Sequence, residues 1–60
     1  MMTKWLRQVI ACGIWHTWDS ADMEQYLGDK KALQHRLEDQ YDLCVGEAMA
    51  IVEIIINKDF

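Results

Sequence analysis

The stretch KKALQHRLEDQYDLCVGEAMAIVEIIIN, residues 30–57, decides the fold of this 60-residue chain. Its apolar residues recur at steps of three and four, which is the spacing of one face of an α-helix. Polar residues occupy the opposite side, and the chain contains no proline that would forbid a long helix. The pattern therefore predicts one helix over residues 30–57. The residues on its apolar face are Leu33, Leu37, Tyr41, Cys44, Ala48, Ile51 or Val52, and Ile55.

A strand is the alternative for the end of this stretch. The segment IVEIII, residues 51–56, is rich in isoleucine and valine, which favour pleated surfaces. However, the strict alternation of a half-buried strand is absent, and the polar stripe of the helix continues through Glu53 to Asn57. The spacing therefore favours a helix to the end of the stretch.

The pattern of residues 3–18 predicts a second long helix. Its side chains are apolar on nearly all sides, so we expect this helix to be buried. Trp5, Val9, Cys12 and His16 are spaced by four, three and four residues, so we expect them to form its inward face. Trp15 lies away from that face. It either packs against the segment that follows or is exposed as an anchor for a partner.

A short helix over residues 20–27 is expected between the two long ones. Asp19 or Ser20 can accept backbone N–H bonds at its start, and Met23, Tyr26 and Leu27 would point inward. Gly28 suits the left-handed residue that commonly ends a helix. The sequence thus predicts an all-α fold: a helical hairpin with a short elbow helix, in a single domain over residues 1–60.

Self-association is expected from the balance between size and apolar content. A domain of 60 residues buries only about 60% of its unfolded surface and commonly needs a disulfide, a metal or a partner chain. The chain is 52% apolar, and the last part of the predicted long helix has more apolar surface than one neighbouring helix can cover. We therefore expect two hairpins to pair as a homodimeric four-helix bundle. The candidate self-association residues are Val45, Met49, Val52, Ile54, Ile55 and Ile56.

The sequence favours a cytoplasmic protein with neither a metal nor a cofactor. Its two cysteines allow at most one disulfide, and the N-terminal segment lacks the uninterrupted apolar run and cleavage site of a signal peptide. Cys12 and His16 have a spacing that can hold zinc, with Cys44 and His35 as further ligands. His35 and Cys44 lie on opposite sides of the predicted long helix, so the four side chains are not expected to converge.

Charge and length exclude several other functions. The net charge of −4 disfavours both nucleic acid and an anionic membrane surface. The most apolar segment, residues 43–56, is shorter than the roughly 20 residues of a membrane span and contains Glu47 and Glu53. Cys12 with His16 is the only nominal nucleophile–base pair, and it has no glycine-rich anion hole beside it. We therefore do not expect an enzyme.

The remaining prediction is a small acidic protein-interaction module, a regulator or inhibitor that binds another protein. Its candidate contact residues are Trp15, Trp18, Met23 and Tyr26 around the elbow, with Asp39 and Asp42 on the polar stripe. The alternative is a DNA- or RNA-binding transcriptional regulator with a helix-turn-helix-like segment at residues 20–37. Against this alternative, the predicted recognition helix is too long and continues into acidic residues.

Overall fold

The computed structural model describes residues 3–60, so residues 1 and 2 of the predicted domain lie outside the described part. Four α-helices follow one another: α1 (Lys4–Thr17), α2 (Ser20–Leu27), α3 (Lys30–Tyr41) and α4 (Val45–Asn57). No strand occurs within residues 3–60. The all-α prediction is confirmed, and so is the helical assignment of residues 51–56.

The prediction of one helix over residues 30–57 is wrong, because the chain turns at residues 42–44. Asp42 has a left-handed backbone with φ of 54°. The N–H groups of Asp42 and Leu43 both donate to the carbonyl of Glu38, which closes the end of α3. Aspartate enters this backbone region more readily than most residues, although glycine is its usual occupant. Glycine was the expected signal for a helix end, so the sequence pattern did not reveal this turn.

Short polar residues begin the first three helices. Thr3, Asp19 and Asp29 each accept a backbone N–H with the side chain, and they precede α1, α2 and α3 respectively. The bounds of α2 and its cap at Asp19 agree with the sequence prediction. Gly28 ends α2, but its φ of −83° is an ordinary right-handed value, so the predicted left-handed glycine is wrong.

The inward face of α1 also differs from the prediction. Ala11 and Ile14 are buried, whereas Trp5 is 69% exposed and Val9 and His16 are exposed as well. The helix is rotated by roughly half a turn from the expected orientation. Spacing alone could not select the inward face, because apolar residues occur nearly all round this helix.

α4 lies at the centre of the fold and packs against both α1 and α3, while α2 packs against α3. Because the chain turns at Asp42, α3 folds back and covers a flank of α4 that one continuous helix would have left bare. The predicted elbow between two long helices is therefore not shown: α2 joins α1 to α3, a helix of 12 residues. The buried core consists of Ala11, Ile14, Met23, Leu33, Leu37, Ala48, Ile51, Val52, Ile54 and Ile55.

This core changes the basis for the predicted self-association. Val52, Ile54 and Ile55 are buried within one chain, and Ile56 packs partly against the same core. Only Val45 and Met49 of that set remain exposed, at 53% and 52%. The premise that one copy cannot cover the isoleucine-rich helix is therefore wrong. None of the helices described for residues 3–60 is long and apolar enough to cross a membrane.

Candidate functional site

A pocket of about 280 Å³ lies where the end of α1 meets α2. We call it the tryptophan pocket, and its lining residues are Trp15, Trp18, Ser20, Met23, Glu24 and Leu27. The structure thus brings together three of the residues predicted to contact a partner, namely Trp15, Trp18 and Met23. Met23 is buried and forms part of the core, while both tryptophans are partly buried.

The Trp15 ring is fixed by contacts with the end of α4. Its indole Nε1 donates a hydrogen bond to the carbonyl of Ile55 at 2.9 Å. That carbonyl belongs to the last turn of a helix, where carbonyls have no partner four residues further along. The Lys58 ammonium lies 4.6 Å from the centre of the same ring. Trp15 therefore packs within the fold while one part of it lines the pocket.

Trp18 belongs to a second aromatic contact, which it forms with Arg36 and Tyr26. The Arg36 guanidinium lies 4.3 Å from the Trp18 ring centre and 5.3 Å from that of Tyr26, and Arg36 Nη1 donates to Tyr26 Oη at 3.1 Å. Such stacking of a cation on aromatic rings is favourable. Tyr26 is not among the pocket-lining residues, so this predicted contact residue faces a neighbouring groove instead.

Asp39 and Asp42, the two acidic contact candidates, are not part of the tryptophan pocket. Asp39 lies on a wide groove along α3 that also includes His35 and Arg36. Asp42 is exposed and forms the turn between α3 and α4. The six predicted contact residues therefore do not form a single site.

Two polar residues, Ser20 and Glu24, line the tryptophan pocket together with its apolar residues. Asp19 and Asp22 are exposed near the start of the same helix. Within residues 3–60, none of these three carboxylates forms an ion pair. The pocket is slightly smaller than the roughly 300–1,000 Å³ of typical small-molecule sites, so its size suits one inserted side chain.

Trp5, the most exposed large apolar side chain within residues 3–60, lies on a face that the sequence prediction had placed in the core. We call it the outer face of α1, and it consists of Trp5, Leu6, Val9, Cys12 and His16. Trp5, Leu6 and Val9 are 69%, 40% and 46% exposed. A Cβ atom added at the neighbouring Gly13 would meet no atom within 4 Å, so the surface there is open.

An ion pair links α1 to α4 on the side of α1 that faces the core. The Arg7 guanidinium binds the Glu47 carboxylate with two hydrogen bonds, of 2.9 and 3.1 Å. These hydrogen bonds lower the pKa of Glu47 and raise the pKa of Arg7. Since Arg7 must face α4 to reach Glu47, Trp5 and Val9 are turned to the opposite side. The two partners lie 40 residues apart, which is why no local pattern in the sequence identified this face.

The four suggested zinc ligands do not come together at one site. Cys12 and His16 lie on the outer face of α1, and Cys44 is exposed just before α4. His35 is exposed on α3. In the part of the chain that the structure describes, no group of three or more histidine, cysteine or acidic side chains could hold a metal ion.

The structure removes one objection to the helix-turn-helix alternative and adds another. The second helix of the segment, α3, ends at Tyr41, so the objection that it is too long no longer holds. However, Arg36 is stacked on Trp18, and Lys30 Nζ lies 3.8 Å from a carboxylate oxygen of Glu53. Lys31 and His35 are left exposed for a groove contact, close to Asp29 and Asp39.

Comparison with known proteins adds no relative to this description: no protein-family model, curated protein or solved structure matches the chain.

Proposed function

We propose that this chain is a protein-interaction module, a small cytoplasmic regulator or inhibitor without catalytic activity, and that the outer face of α1 is its binding surface. The observation that supports this most strongly is the exposure of Trp5, at 69%. Tryptophan is among the residues most enriched where a few side chains dominate the energy of a protein interface.

Neighbouring side chains extend this exposed tryptophan into a continuous surface. Val9 lies one turn from both Trp5 and Leu6 on the same helix, and residues one turn apart share a face, so Val9 connects the two. Leu6 and Val9 are each close to half exposed, and completing the burial of either against a partner would contribute on the order of 1 kcal/mol. Contiguous apolar patches of this kind mark interaction sites more often than isolated exposed side chains do.

The rigidity of the helix below the surface supports the same function. Arg7, Ala11 and Ile14 hold the other side of α1 against α4 through an ion pair and buried contacts. A surface that is already ordered loses little conformational entropy when it binds. The outer face of α1 is therefore preorganised for a partner.

Two alanine variants of exposed apolar side chains test this proposal. Trp5→Ala removes the largest side chain of the outer face, and Met49→Ala removes an apolar side chain of 52% exposure from α4. We expect Trp5→Ala to reduce the crosslinking of the chain to other protein chains in a lysate, while Met49→Ala leaves it unchanged. Circular dichroism should show that both variants keep the helical fold.

Two outcomes would contradict the proposal. Equal losses for both variants would show that general hydrophobicity, rather than the outer face of α1, determines the crosslinking. Retention of a short DNA or RNA duplex in a gel at low salt, lost as the salt concentration rises, would favour the nucleic-acid alternative instead.

A further inference from the structure

We propose that the tryptophan pocket is a binding site for a methylated ammonium group, the cationic head of molecules such as choline and of trimethylated lysine. The site lies between α1 and α2, apart from the outer face of α1, and it goes beyond the proposed function without depending on it. Aromatic side chains beside a carboxylate are the chemistry that recognises such a group.

The walls of the pocket come from two helices. Trp15 and Trp18 stand at the end of α1, and the other lining residues are spaced by three or four positions along one face of α2: Ser20, Met23, Glu24 and Leu27. Indole rings attract a cation that lies within about 6 Å of the ring centre, and they do so more strongly than the other aromatic side chains. Two indoles in one small pocket therefore favour a cationic ligand with an apolar surface.

Both rings already attract a cation from within the chain. The Lys58 ammonium lies 4.6 Å from the centre of Trp15, and the Arg36 guanidinium lies 4.3 Å from the centre of Trp18. Neither of these cations lines the pocket, so the pocket contacts parts of the two rings that they leave uncovered. Trp15 also directs its N–H to the carbonyl of Ile55, so this donor is engaged with α4 and does not repel a cation in the pocket.

The charges around the pocket favour a cation over a neutral or anionic ligand. Within residues 3–60, Glu24 is the only charged residue that lines the pocket. Asp19 and Asp22 are exposed near the start of the same helix, and none of the three carboxylates forms an ion pair with the described residues. A cation in the pocket would therefore lie beside a carboxylate that no other cation neutralises.

The small number of acceptors favours a methylated ammonium over a primary one. A primary ammonium has three N–H donors, and a buried donor without an acceptor is costly. Only Ser20 and Glu24 offer polar side chains in the pocket. A trimethylated ammonium has no N–H, and its methyl groups suit the apolar walls. The volume of about 280 Å³ is small for a whole ligand and fits a head group of this kind.

The first test compares choline with 3,3-dimethylbutan-1-ol, a neutral molecule of the same shape, by calorimetric titration of the purified full chain. We expect choline to bind at least about tenfold more tightly, which corresponds to 1.4 kcal/mol. In proton NMR spectra the choline methyl signal should move upfield, because the ring current of an indole shields protons above its face. Equal binding of the two molecules, no binding of choline, or an unmoved methyl signal would each overturn the proposal.

A charge substitution tests the role of the carboxylate. Glu24→Gln keeps the size of the side chain, and we expect it to reduce the affinity for choline to that for the neutral molecule while leaving the latter unchanged. The matched control is Asp39→Asn, which removes the same charge from an exposed position outside the pocket and should preserve the preference for choline. Equal losses in the two variants would show that net charge, rather than the pocket, attracts the cation.

Two further measurements locate the site and identify the source of the ligand. Trp5→Ala should leave choline binding unchanged. Loss of binding in this variant would place the cation on the outer face of α1 and overturn the proposal, whatever the outcome of the crosslinking experiment. A short peptide that contains trimethyllysine, titrated in parallel, distinguishes a protein side chain from a free small molecule by which of the two probes binds more tightly.

Discussion

α1 and α4 are similar helices with different surroundings. They have 14 and 13 residues, and both are rich in apolar side chains. Five residues of α4 are buried, but only Ala11 and Ile14 of α1 are. The difference arises from the neighbours of each helix, because α4 lies between α1 and α3 whereas α1 packs mainly against α4. Apolar composition therefore allows a helix to be buried. The number of neighbouring helices decides how many of its residues are buried.

The largest expected contrast between the two helices is in unfolding free energy. Ile51→Ala should destabilise the fold by about 2–5 kcal/mol, because Ile51 is fully buried in α4 and its truncation leaves a cavity. Val9→Ala on the outer face of α1 should change the stability of the monomer by no more than about 0.5 kcal/mol. Urea unfolding in dilute solution, where self-association does not contribute, measures both. Equal losses would show that the outer face is packed in solution.

A substitution in the turn between α3 and α4 should have a smaller effect on the unfolding free energy, and of opposite sign. Asp42→Gly should stabilise the fold by on the order of 0.5–1 kcal/mol, because φ of 54° strains most residues but not glycine. The control is Asp39→Gly inside α3, which should destabilise by on the order of 0.3 kcal/mol, because glycine is slightly less favourable than aspartate in a helix interior. Thermal unfolding compares the two. A destabilising Asp42→Gly would mean that the Asp42 side chain, rather than its backbone, holds the turn.

Loss of the ion pair between Arg7 and Glu47 should have the smallest effect on the unfolding free energy, and this effect should depend on pH. The Arg7 guanidinium lowers the pKa of Glu47 in the folded chain, so the folded state favours the ionised carboxylate. Its stabilisation is fully present above the ordinary pKa of a glutamate and is lost as the pH falls through the lowered value. Urea unfolding at a series of acidic pH values should show a shallower decline for Glu47→Gln than for the wild type. An unchanged slope would show that the ion pair does not contribute in solution.

Features set by neighbouring residues could be predicted from the sequence. Residues 20–27 form a helix capped by Asp19, and Met23 points inward, because caps and short-range spacing depend on nearby residues only. The proximity of Trp15, Trp18 and Met23 followed from the same local reasoning. Tyr26 also lies beside Trp18, with ring centres 5.6 Å apart, but it lines the neighbouring groove, where its hydroxyl accepts a hydrogen bond from Arg36.

Features set by distant residues could not be predicted in this way. The turn at Asp42 lacks a glycine or proline signal, so α3 and α4 looked like one helix. The inward side of α1 contacts distant parts of the chain, through the core residues Ala11 and Ile14 and through an ion pair between residues 40 positions apart. Trp5 was therefore assigned to the inward face, whereas it is 69% exposed and is the leading candidate contact residue of the proposed function.

The three tryptophans also provide the chain with optical reporters in three environments. Trp5 is in water, Trp15 is hydrogen-bonded beneath Lys58, and Trp18 lies under Arg36. Indole emission moves to shorter wavelength when the ring leaves water, so Trp5 has the greatest room for such a change. An emission spectrum can therefore test, without any added dye, whether a partner covers Trp5 as the proposed function requires.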